Sequence, residues 1–101
     1  MPIPLKIEYL PIAEADLQEI FDYIFAESPS SAQKTINLFD KNISNLALFP
    51  LLGKTVNDPI LRAQGYRLLI IDNYLVFYVI IAGRIEIRRV IHGTRHYAFL
   101  L

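Results

Sequence analysis

Reactive side-chain types are concentrated near the C-terminus, where His92, Arg95, His96 and Tyr97 fall within six consecutive positions. Cleavage of RNA without a metal requires a base for the 2′-hydroxyl, a cation for the charge of the phosphorane and an acid for the leaving oxygen. Histidine, arginine and tyrosine suit these roles, so the cluster permits ribonuclease chemistry. A structural alternative is that the tail from Tyr97 onwards packs against the edge of a sheet.

The segment just before this cluster is predicted to be the last strand of a sheet. Over residues 84–91 apolar and polar residues alternate, which places Arg89 in the same row as isoleucines. Because an unpaired buried arginine costs several kcal/mol, we expect a bulge that shifts the alternation, an ion pair with an acid, or a strand end open to solvent. In the functional alternative, the strand presents this cation to an anionic ligand.

Charge is distributed unevenly along the chain, although the formal net charge is zero. Residues 1–53 contain three lysines and seven acids, a net charge of −4, and residues 54–101 contain seven cations and three acids, a net charge of +4. Six of those seven cations are arginines, whose planar guanidinium groups suit phosphate or carboxylate recognition. The C-terminal half therefore has either ordinary surface charge or an arginine-lined surface for an anionic partner.

The length and composition exclude several classes of protein. A chain of 101 residues, 53% of them hydrophobic and 20% charged, is expected to form one domain over residues 1–101 and is not intrinsically disordered. The absence of cysteine excludes disulfides, thiolate zinc sites and cysteine nucleophiles. Two histidines are too few for a histidine-only metal site, and we expect neither a metal nor a cofactor.

Neither a targeting segment nor a membrane segment is predicted. The N-terminal residues lack the basic flank and the long apolar core of a signal peptide. The longest apolar run, residues 74–82, has nine residues, whereas a membrane helix needs about 20. We therefore expect a cytoplasmic protein without a membrane partner.

The hydrophobic periodicity predicts an α+β fold with the element order β-α-α-β-β-β. Apolar residues at helical spacing predict two helices, at 11–26 and 30–48, joined by a short turn into a hairpin. Alternating or continuous apolar runs predict strands at 5–9, 66–71, 74–81 and 84–91, with an ordered loop at 50–65. Tight turns make the last three strands a meander. We expect an antiparallel sheet with the helical hairpin packed on one face and the other face open.

Five short motifs occur in order along nearly the whole chain. They are Asp16-Leu17-x-x-Ile20-x-x-Tyr23-Ile24, Leu46-x-x-Phe49-Pro50-x-x-Gly53, Tyr66-Arg67-x-Leu69, Tyr74-x-Val76-Phe77-Tyr78 and Ile85-x-Ile87-x-Arg89-Val90-x-His92-Gly93-x-Arg95. No single motif is specific, but the ordered set resembles the RelE/ParE superfamily, the toxins of bacterial type II toxin–antitoxin systems.

The resemblance implies a cognate antitoxin, RelB- or ParD-like, whose C-terminal segment wraps around the toxin in a hetero-oligomer. The high apolar fraction agrees with this expectation, because a bound segment would cover apolar surface and the face that bears the arginines. The superfamily divides by target. ParE-like members inhibit DNA gyrase, whereas RelE- and YoeB-like members cleave mRNA on the ribosome.

Two departures from the ribonuclease members favour the gyrase hypothesis. Members of the YoeB type place an arginine just before the Leu-Val-Tyr stretch of the middle strand, where this sequence has Tyr74. RelE-like members are also richly basic, whereas this chain is neutral and Lys54 is the single lysine of its central loop. Gyrase inhibition is therefore the favoured prediction, ribosome-dependent mRNA cleavage is the alternative, and an inactive binding module is the third hypothesis.

The hypotheses assign different roles to the candidate site residues. In the gyrase hypothesis, the C-terminal tail binds the target together with the cations Lys54, Arg67, Arg88, Arg89 and Arg95. In the ribonuclease hypothesis, Arg67 and Arg89 hold the scissile phosphate. His92 or His96 is then the base or the acid, and Tyr97 assists.

Overall fold

The computed structural model describes residues 3–93 and Leu101. The strands are β1 (Lys6–Tyr9), β2 (Lys54–Thr55), β3 (Arg67–Ile71), β4 (Tyr74–Ile81) and β5 (Arg84–His92). The helices are α1 (Pro11–Phe25), α2 (Pro29–Ser44), which continues into a 3-10 turn at Asn45–Ala47, and α3 (Pro59–Ala63). The α+β class and the order of the predicted elements are confirmed. No helix in the described ranges is long and apolar enough to cross a bilayer.

Each helix begins at a proline, whose fixed φ suits the first helical position. Ser28 caps α2 by accepting a hydrogen bond from the backbone N–H of Ser31, and Asp58 caps α3 in the same way. The helix α3 and the two-residue strand β2 lie within the segment that was predicted as a loop. Elements this short contain too few residues to show a periodicity.

The sheet has the strand order β1-β5-β4-β3-β2. All neighbouring strands are antiparallel except β1, which pairs parallel to β5 from Lys6 opposite Arg84 to Tyr9 opposite Ile87. The sheet therefore differs from the expected antiparallel sheet at this one edge. The tight turns of the meander fix the directions of β3, β4 and β5, but the helical hairpin separates β1 from them and allows either direction.

The two faces of the sheet are covered by separate hydrophobic clusters. On β4, Val76 and Tyr78 belong to the cluster beneath α1 and α2, and Phe77 and Val79 belong to the cluster on the opposite face. The prediction that this central strand is buried on both faces is confirmed. The opposite face is covered by residues of the central loop, of α3 and of the chain end: Val56, Leu61, Tyr66 and Leu101. The face that was expected to be open is therefore partly closed.

A bulge interrupts the pairing of β4 with β5. Phe77 lies opposite Arg89 and Tyr78 lies opposite Ile87, which leaves Arg88 as the extra residue on β5. The extra residue shifts the alternation, so Val90 rather than Arg89 joins the cluster under the helices. The expected bulge in this strand is confirmed.

Candidate functional site

The free edge of β5 is occupied by a side chain from α1. The strand β1 and the residue after it cover β5 only as far as Ile87, whose carbonyl accepts from the N–H of Leu10 at 3.0 Å. Beyond that point the Asp16 carboxylate accepts from the backbone N–H of Val90 at 3.0 Å and from Arg89 Nε at 2.7 Å and Nη2 at 2.9 Å. The hydrogen bond to Asp16 raises the pKa of Arg89 above its ordinary value, although burial opposes the increase.

Arg88, the bulged residue, is also held by groups of the protein itself. Its Nε lies 2.7 Å from Glu86 Oε1, and its guanidinium lies 5.7 Å from the centre of the Tyr66 ring. Glu86 pairs in addition with Arg84, whose Nε lies 3.2 Å from Glu8 on β1. These contacts form a network of ion pairs along β5 and β1.

Arg67, at the start of β3, holds the loop that follows α2. Its Nη2 donates to the carbonyl oxygens of Leu51, at 3.2 Å, and of Gly53. The hydroxyl of Tyr78, which is fully buried on β4, donates to the carbonyl of Pro50 at 2.7 Å and accepts from the N–H of Gly53 at 3.0 Å. Two side chains of the sheet, Arg67 and Tyr78, therefore hold the backbone of this loop in place.

Among the predicted ribonuclease residues that the structure describes, Arg67, Arg89 and His92 lie apart. Arg67 turns towards the loop after α2, and Arg89 turns towards α1 on the other side of β4. Arg67 and His92 are opposite Tyr78 and Tyr74 of β4, respectively. At about 4.8 Å between strands and about 3.3 Å per residue, their Cα atoms are about 16 Å apart. Arg95, His96 and Tyr97 lie outside the described residues.

Lys54, the remaining predicted target-binding cation, is exposed on the edge strand β2. It lies two positions after a group of exposed apolar side chains, here called the apolar loop, that consists of Leu48, Phe49, Leu51 and Leu52. Their exposed fractions are 49%, 62%, 67% and 53%. Sequence reasoning missed this surface. The signal was present as a run of apolar residues that continues past the helical stripe and is interrupted only by Pro50.

His92 lies at a different place, beside a cavity between α1 and the ends of β4 and β5. The cavity has a volume of about 370 Å³, and its polar lining comprises Asp16, Glu19, Tyr23, Tyr74 and His92. The rings of Tyr74 and His92 meet edge to face with centres 5.5 Å apart. Burial raises the pKa of Tyr74, and the neighbouring Tyr23 phenol adds to the increase.

A comparison with models of protein families identifies the family. The model of the ParE toxin of the type II toxin–antitoxin system parDE matches residues 7–97. The chain belongs to the ParE toxin family. The matched range contains the residues of the ion pair between Asp16 and Arg89, of the apolar loop and of the cavity. A search of curated protein sequences finds no match.

Two solved structures have the fold of this ParE-family chain. The chromosomal ParDE toxin–antitoxin system from P. aeruginosa superposes with a TM-score of 0.73 at 20% sequence identity, covering 90% of this chain and 98% of the other. The RelBE2 toxin–antitoxin complex from Mycobacterium tuberculosis superposes with a TM-score of 0.61 at 20% identity, covering 89% and 99%. The family match confirms the predicted superfamily, and these two structures confirm the predicted fold.

Proposed function

We propose that this ParE-family toxin arrests bacterial growth by inhibiting DNA gyrase, and that a cognate antitoxin neutralises it in the cytoplasm. The observation that carries the proposal is the commitment of Arg67 and Arg89, the two arginines that the ribonuclease hypothesis places at the phosphate, to internal partners. A metal-independent ribonuclease needs cations that are free to stabilise the phosphorane. Side chains that already donate to carboxylates and carbonyl groups of the protein do not meet this need without rearrangement.

The apolar loop supports a protein target rather than a nucleic-acid target. The centres of protein interfaces are depleted in charge and enriched in large apolar side chains, whereas nucleic-acid interfaces are strongly cationic. The loop backbone is already held by Arg67 and Tyr78. Binding of a partner would therefore lose little conformational entropy in this loop. In this proposal Leu51, Leu52 and Lys54 contact the gyrase complex, and Arg67 positions the loop.

The proposal is tested by adding the purified chain to a gyrase supercoiling assay and to a translating ribosome system. We expect loss of supercoiling and no cleavage of mRNA in the A site. Leu51→Ser should weaken the inhibition about ten-fold, as expected for a residue near the centre of an interface. The control is Ile12→Ser, which changes an exposed apolar residue on α1. Cleavage of mRNA with intact supercoiling would establish the ribonuclease hypothesis instead.

The antitoxin is the second part of the proposal. The two solved structures described above are a ParDE toxin–antitoxin system and a RelBE2 toxin–antitoxin complex, which supports a RelB- or ParD-like partner for this chain in a hetero-oligomer. Expression of the chain alone should arrest growth, and co-expression of a small reading frame next to its gene should restore growth. A chain that leaves growth unaffected when expressed alone would be an inactive binding module.

A further inference from the structure

We propose that the cavity between α1 and the ends of β4 and β5 binds an arginine side chain of the antitoxin. The inference rests on the proposed neutralisation by an antitoxin and names one contact by which it occurs. The cavity, of about 370 Å³, lies beside the edge of β5 that Asp16 occupies. Its lining contains the three components that an arginine side chain requires, namely a carboxylate, aromatic rings and an apolar floor.

The charge at the cavity favours a cation. Two carboxylates line it, those of Asp16 and Glu19, and Arg89 neutralises the first through two hydrogen bonds. Glu19 is exposed and forms no ion pair among the described residues, although its charge also acts on Arg89. Asp16, Glu19 and Arg89 together therefore carry one net negative charge at the rim of the cavity. An incoming cation would pair with Glu19.

The aromatic side chains favour a guanidinium group over an ammonium group. The Tyr74 ring is held between Phe39, with ring centres 5.2 Å apart, and His92 at 5.5 Å, so its orientation is set before a ligand arrives. Tyr23, on α1, is 75% exposed and lines the same cavity. Arginine stacks on aromatic faces and simultaneously donates to a carboxylate, whereas lysine acts as a compact point charge.

The apolar part of the lining favours a side chain that belongs to a polypeptide. Ile20, which is partly exposed, contributes apolar surface to the cavity, and the buried residues Val90 and Ile91 lie beside it. The methylene stem of an arginine would cover this surface while its charged end reaches Glu19 at the rim. Free inorganic cations have no apolar part and would leave the apolar surface of Ile20 in contact with water. The favoured occupant is therefore an arginine carried by a partner chain.

The first test uses N-acetyl-L-argininamide as the probe and the ¹⁵N-labelled chain observed by NMR. We expect saturable shifts confined to the amides around the cavity, among them Glu19, Tyr23 and Val90. The neutral analogue N-acetyl-L-glutaminamide should produce none. Glu19→Gln should weaken binding of the arginine probe about five-fold, because it removes the charge and keeps the size of the side chain. The matched control Glu14→Gln, on the same helix and outside the cavity, should bind the probe as the wild type does.

The second test measures the affinity of the antitoxin encoded beside the toxin gene for the same two variants. Glu19→Gln should lose affinity about five-fold relative to Glu14→Gln. Equal affinities of the two variants for the antitoxin, or absence of saturable shifts with the probe, would overturn the inference. Growth arrest by the wild-type chain expressed alone tests the proposed toxin function separately, so the two proposals can fail independently.

Discussion

Asp16 and Arg89, 73 positions apart in the sequence, form an ion pair with two hydrogen bonds, at 2.7 and 2.9 Å. The same carboxylate accepts from the backbone N–H of Val90. Both side chains are largely buried, with 13% of Arg89 and 11% of Asp16 exposed. The pair therefore joins α1 to β5 where β1 has ended, and it compensates the cost of placing a charged residue in a hydrophobic strand.

Replacement of Asp16 by asparagine should lower the free energy of unfolding by about 2–3 kcal/mol, because Arg89 would remain largely buried without a counter-charge. Urea denaturation measures the change. The matched control is Asp22→Asn on the exposed face of α1, where the Asp22 carboxylate accepts from the Gln18 side chain. We expect this control to change stability by less than about 0.5 kcal/mol. Equal stabilities of the two variants would contradict the structural role of the pair.

Gly53→Ala should destabilise the protein by about 2–3 kcal/mol, because the loop leaves no room for a methyl group. An added Cβ would lie 2.6 Å from the Tyr78 hydroxyl oxygen and 2.8 Å from the backbone carbonyl of Leu68. The comparison variant is Gly83→Ala, which has open space around it but a φ of +74°. It should cost about 1 kcal/mol through backbone strain alone. A larger loss of stability in the Gly83 variant would contradict this account of the loop.

Arg67→Met should loosen the apolar loop without unfolding the sheet. The substitution removes the donors to Leu51 and Gly53 but keeps most of the side-chain volume. Hydrogen exchange at the Gly53 amide, which donates to the Tyr78 hydroxyl, should become about ten-fold faster. Arg62→Met is the matched control, since Arg62 donates to the carbonyls of Val56 and Asn57. Faster exchange at Gly53 in both variants would indicate general destabilisation instead.

Stability should fall in alkali because of Tyr9. Burial, with a smaller contribution from the charge of Asp40, raises the pKa of Tyr9 from 10.0 to about 12. Between pH 10 and about 12 the Tyr9 phenol therefore stays protonated in the folded state but ionises in the unfolded chain. The stabilising contribution is complete below pH 10 and is lost as the pH rises to about 12. Urea denaturation across this range should show a smaller fall for Tyr9→Phe than for the wild type. The exposed control Tyr23→Phe should show the wild-type fall.

Most secondary structure was predictable because it depends on local patterns. The apolar stripe of α2 includes Ala32, Phe39 and Ile43, which the structure buries. The continuous apolar run of β4 follows from its position at the centre of the sheet, with a hydrophobic cluster on each face. The prediction of a bulge or an ion pair at Arg89 also came from the sequence alone, because a buried charge must be compensated.

The arrangement of the candidate site was not predictable in the same way. The sequence determined the element order, the two helices, the meander and the family resemblance, since each of these depends on neighbouring residues or on their order. Only the tertiary structure decided that β1 pairs parallel to β5, that Asp16 forms an ion pair with Arg89, and that Arg67 donates hydrogen bonds to the backbone around the apolar loop. These contacts join residues far apart in the chain. Their geometry depends on how the helices pack against the sheet, which no local spacing of residue types specifies.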